Sequence, residues 1–179
     1  MNAVAWMIVA CEVAFWIFIA AGLATRYIFK RKKLGLLFLA LTPVVDLALL
    51  IMAGIDLAGG AAATMAHALA AVYIGVSIAF GKSMIQWADE KFLYYVMKQG
   101  EKPAKKHGID YAKHQLAGWS RHLMAYLIGL SILSIMIFLI NDATRTEALS
   151  GVVRVWSLVL VIDLAISVSY FVWPKKKNA

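Results

Sequence analysis

Four ionisable residues stand inside otherwise apolar stretches of the sequence: Glu12 in IVACEVAFW, Asp46 in LTPVVDLALL, His67 in TMAHALA and Asp163 in LVIDLAIS. Carboxylates and an imidazole exchange protons and hold divalent cations, with borderline metals favoured by the nitrogen ligand. Their surroundings make them costly. An ionised Asp at the centre of a membrane span costs about 2.5–3.5 kcal/mol. Protonating an ordinary Asp at pH 7 costs about 4 kcal/mol, so pairing, or facing protein and water, is the better remedy.

Counting inward along untilted helices at 1.5 Å per residue puts Glu12, Asp46, His67 and Asp163 roughly 9–18 Å below one membrane face, in its outer half. The sequence therefore predicts a common polar layer that binds a proton or cation, as in a small transporter or channel component, with the same four residues as metal-ligand candidates. Arg154 lies shallower on the helix of Asp163 but on its opposite face, and is the predicted charge partner of Glu12 or Asp46. Thr42 and Pro43 precede Asp46. Pro43 removes a backbone donor and Thr42 can satisfy the freed carbonyl, so a kink is expected beside the carboxylate. The competing reading is structural: the same groups pair with Arg154, Thr42, Tyr73 or one another to lock a bundle, or face a second protein.

The elements that must position these residues follow from hydropathy. With 63% hydrophobic residues and a mean hydropathy of +0.76, the chain cannot bury its apolar surface within a water-soluble domain. A bilayer core about 30 Å thick needs about 20 apolar residues. Five windows meet that length, at about 3–25, 34–57, 61–82, 122–140 and 151–173. The expected fold is an all-α, polytopic five-helix bundle forming a single membrane domain over 1–179. The lipid bilayer is its first partner, with a second copy or another membrane protein as further candidates. Only DLAGG separates the second and third windows, so Gly59 and Gly60 predict a tight helical hairpin.

Sixteen of the eighteen Lys and Arg residues fall in the first loop, in the stretch 82–121 and in the tail. Five spans put all three segments on one side, which basic residues mark as cytoplasmic. The N-terminus is then outside and the C-terminus inside. This confinement to membrane-flanking blocks is why a net charge of +8 does not indicate nucleic acid as a partner. Within the cytoplasmic loop 83–121, Met84, Ile85, Ala88, Phe92 and Val96 recur near helical spacing, predicting an amphipathic helix that continues from the third span, lies along or projects from the inner surface, and is ended by Gly100 and Pro103. The loop is too small for a catalytic domain but large enough to recruit a partner, which gives a second function class, a non-transporting adaptor.

Cys11 is the one cysteine, so no internal disulfide can form. GKS at 81–83 lacks the preceding Gly-rich turn of a phosphate loop, and no cofactor fingerprint is present. His107, Asp110 and His114 in HGIDYAKH would share one helix face and suit a metal, though a solvated basic loop explains them better. A lipid-modifying enzyme is the third class, because intramembrane acids can serve as acid and base.

RYIFKRKKLGLL, TPVVDLALL, TMAHALAAVYIGVSIAFGKSMIQWADEKF and GWSRHL together resemble a small family of bacterial integral membrane proteins of the YmcC type, found in Bacillus and its relatives. The resemblance runs from the first span through the fourth. It implies a plasma-membrane protein of a Gram-positive bacterium and no activity. Glu12 in ACEVAF is also similar to the membrane-embedded Glu in the first helix of small multidrug exporters, which have four spans where this chain has five.

Overall fold

The computed structural model describes residues 3–98 and 107–174, with the side chains of 3–5, 8, 9 and 12 outside the described set. These residues form α1 (Ala3–Tyr27), α2 (Lys32–Ala40), α3 (Thr42–Ala58), α4 (Met65–Tyr95), α5 (Gly108–Ile140) and α6 (Glu147–Val172). Helix is what the bilayer demands, since it satisfies every backbone polar group within the segment. Lys32–Ala58, Met65–Tyr95, Gly108–Ile140 and Glu147–Val172 are each long and apolar enough to cross a membrane, and Val13–Tyr27 of α1 adds a shorter apolar stretch. At 25 residues α1 is about 37 Å long, which also exceeds the hydrocarbon core.

α2 and α3 form one broken span. The proline ring of Pro43, in the first turn of α3, leaves the Leu39 carbonyl without its helical donor, and the Thr42 hydroxyl donates to that carbonyl at 2.9 Å. The break therefore leaves no orphaned acceptor.

α4 is the shared wall of two groups of helices. α1 and α3 pack on one side of it, with α2 held against α1 and α3, and α5 and α6 pack on the other. Leu49, Ala53 and Ala70 fill the first interface. Ala68, Ala71, Leu133, Leu149 and Val152 fill the second. Small residues permit the close crossings, as expected where lipid rather than water is the competing solvent. A Cβ on Gly35 would lie 2.6 Å from the Gly22 carbonyl, and one on Gly75 would strike the Ala125 carbonyl of α5. Outward-facing apolar side chains are abundant, Phe138 being 81% exposed and Leu139 75%. In water such a surface would aggregate, and in lipid it is solvated.

In the stretch 83–121 the expected helix does continue from the third span, and it projects from the bundle. The stretch consists mostly of continuations of α4 and α5, which at 31 and 33 residues are about 46 and 50 Å long and project beyond the membrane core. The α4 extension stands against the end of α1, where Arg26 pairs with Asp89 at 2.7 Å and Tyr27 stacks on Phe92 at 5.1 Å. The α5 extension meets the end of α6 through Tyr111 and Tyr170, 4.9 Å apart. Gly100 and Pro103 lie outside the described residues.

Candidate functional site

Asp46, His67 and Asp163 are held in separate pairs. Asp46, on α3 one turn beyond Pro43, is 6% exposed, and its Oδ2 accepts a hydrogen bond from the Ser77 hydroxyl of α4. No basic side chain is bonded to it among the described residues. Among the described residues its charge, when present, meets only a neutral donor.

His67 sits in the first turn of α4, ten residues and about 15 Å of helix from Ser77. Its Nδ1 accepts from the Thr64 backbone N–H at 3.1 Å, and its Nε2 lies 3.0 Å from Oδ2 of Asp56. An acceptor at Nδ1 assigns the proton to Nε2, which donates to Asp56. Both ring nitrogens are committed, and the imidazole ties the start of α4 to the end of α3.

Asp163 is on α6, beyond α4 from Asp46. Its Oδ2 lies 2.5 Å from Nδ1 of His122 on α5, with the two side chains 31% and 49% exposed. The His122 ring also lies 4.9 Å from Phe80 of α4. A groove of about 320 Å³ runs beside the pair, walled by Trp156, Leu160 and Ile166. Counted along their helices from the end that holds the α3–α4 and α5–α6 turns, His67 is about 3 Å in, Asp46 about 18 Å and Asp163 about 24 Å. The three are staggered along the bundle instead of sharing the expected layer, because the span ends fixed by hydropathy did not mark where the helices begin.

Arg154 is exposed on α6, a helix that packs on α5 and α4 and not on α3. The expected pairing with Asp46 is absent for that reason. Glu12 belongs to α1, but its side chain lies outside the described set. Among the described residues no three His, Cys, Asp or Glu side chains gather as a metal site requires. That applies to His107, Asp110 and His114 and to the metal-ligand role expected of Asp46, His67 and Asp163.

Thr42, Pro43 and Ser77 line a cleft of about 250 Å³ that continues along Phe15, Trp16 and Ile19 of α1 and Met84 and Trp87 of α4. The helix break makes this space. Thr42 and Pro43 stand four and three residues before Asp46, so all three share one helix face. Asp46 lies just behind the wall that Ser77 forms.

Sequence reasoning missed Ser77, Asp56 and His122 as partners. Asp56 had a signal, since it and His67 flank the short glycine turn. Ser77 and His122 had none, because pairing between helices depends on their relative rotation.

The chain is 63% identical over 179 residues to "Uncharacterized membrane protein YmcC" of Bacillus subtilis (strain 168), covering 100% of this chain and 97% of that protein. No family model matches the chain, and no solved structure matches it.

Proposed function

Because the chain belongs to the YmcC family of bacterial multi-pass membrane proteins, we propose that Asp46 takes up and releases a proton within the membrane, as the working group of a small transporter or channel component. The observation that carries this reading is the carboxylate's setting: buried, hydrogen-bonded to a single hydroxyl, free of any described cationic partner, and beside a cleft opened by a broken helix. The physical argument is how weakly the charge is held. One neutral donor contributes about 1.5–3 kcal/mol to an ionised group and supplies no opposite charge, so a carboxylate whose ionised form costs about 2.5–3.5 kcal/mol at mid-membrane is more open to protonation than one held in an ion pair. His67 and Asp56 act as a structural clasp in this reading, and His122 and Asp163 form a second pair on the far side of α4.

Infrared spectra of the protein in nanodiscs should show a protonated-carboxyl band that titrates and is missing from D46N. Proteoliposomes loaded with a pH-sensitive dye, under a potassium diffusion potential, should carry protons with the native chain and not with folded D46N. Equal flux in both, or no flux with the native chain, removes the transport reading.

A further inference from the structure

The cleft beside Asp46 has a composition that proton binding alone does not need. Its walls carry aromatic faces, Phe15 and Trp16 from α1 and Trp87 from α4, and a hydroxyl, that of Ser77, which is bonded to the Asp46 carboxylate behind it. No Lys or Arg lines it. Trp16 is 69% exposed and Trp87 63%, so the two indoles form a rim that opens sideways out of the bundle. The carboxylate stands one hydroxyl behind the wall, within the 4–6 Å or so over which an opposite charge acts strongly.

From this juxtaposition of a buried carboxylate and an aromatic-walled, laterally open cleft, we infer that the cleft binds a small lipophilic organic cation, an apolar body bearing an ammonium group. The inference rests on the choice of Asp46 as the reactive group made above. Two attractions converge on such a ligand. Indole and phenyl faces hold an ammonium through their quadrupoles, most strongly where water is excluded. The carboxylate adds a full charge in a low-dielectric setting. An inorganic cation would gain little from the apolar walls, and a neutral lipophile would gain nothing from Asp46. An anion would meet a carboxylate with no basic residue to offset it. Since one carboxylate cannot hold a proton and face a cation at once, binding displaces the proton into solution.

The test uses labelled phenyltrimethylammonium and the full chain in nanodiscs, with tert-butylbenzene, its uncharged isostere, as competitor at equal bilayer concentration. Binding should saturate, should yield to unlabelled phenyltrimethylammonium and not to tert-butylbenzene, and should weaken about tenfold or more in D46N. W16A alters an exposed side chain and should weaken binding several-fold without loss of fold, so the test survives a misfolded D46N. Absence of saturable binding, equal competition by the neutral isostere, or native affinity in both variants overturns the inference. The two readings fail separately. A titrating Asp46 infrared band with no cation bound removes the ligand and leaves the proton site, and saturable Asp46-dependent binding with no acid band does the reverse.

Discussion

At the scale of single residues, the carboxylates outside and inside the membrane obey different rules. Asp142 lies in the turn between α5 and α6, where its Oδ1 accepts from the Thr144 hydroxyl at 2.7 Å, the Thr144 N–H at 2.9 Å and the Arg145 N–H at 3.2 Å. The Thr144 hydroxyl first, then the Arg145 N–H, hold its carboxyl below the usual carboxylate range. A depressed carboxylate contributes stability that is full above its unfolded pKa and lost as pH falls through the lower folded one. The stability difference between the native chain and D142N should therefore be constant from neutrality down to about the ordinary value of 3.8 and shrink below it. Thermal melts in detergent across that range check this, and a difference that grows on acidification would contradict it. Asp46 has no comparable set of donors. The presence of an anomalous Asp in LTPVVDLALL was legible in the sequence, because any carboxylate in an apolar run needs an explanation. Its partner was not, since nothing in the order of residues states which face of α4 Ser77 occupies.

At the scale of helices, packing is decided by a few close crossings. Gly75 lets α4 approach α5 until its own Cα region meets the Ala125 carbonyl, while Gly54 on α3 has nothing within 4 Å of the place a Cβ would take. G75A must therefore push two helices apart, an overpacking cost of about 1–3 kcal/mol. G54A removes only backbone freedom and should stabilise by about 0.5–1 kcal/mol. Unfolding of the two variants in mixed micelles should give changes of opposite sign. A neutral G75A would mean that α4 and α5 can separate freely. The apolar windows were readable because bilayer thickness imposes a length on each span. The continuation of α4 beyond the membrane was readable from the spacing of Met84, Ile85, Ala88, Phe92 and Val96, whereas that of α5 was not, because a helix that leaves the membrane loses the hydropathy contrast that marked it. The Thr42–Pro43 break was the easiest feature to anticipate, since proline's missing donor is a property of the residue itself.

At the scale of the whole molecule, side-chain contacts sort the loops to two ends. At one end Arg145 donates to the Leu57 carbonyl at 2.7 Å and the Ala61 carbonyl at 3.0 Å, joining the α5–α6 turn to the end of α3. At the other, Arg26 meets Asp89 and Tyr111 meets Tyr170. The first loop and the described basic residues between α4 and α5 share this second end, and the first end carries Arg145. Basic residues in short loops resist translocation, so the second end is expected to be cytoplasmic. In a C11S background, T144C should react with a membrane-impermeant maleimide in intact cells, and K98C only after permeabilisation. The reverse pattern would invert the topology. The result also fixes the side from which the cleft is reached. Trp87 lies 22 residues and about 33 Å along α4 from Met65, at the Arg26–Asp89 end. A cytoplasmic K98C therefore opens the aromatic rim toward the inner leaflet, and an external one opens it toward the outer.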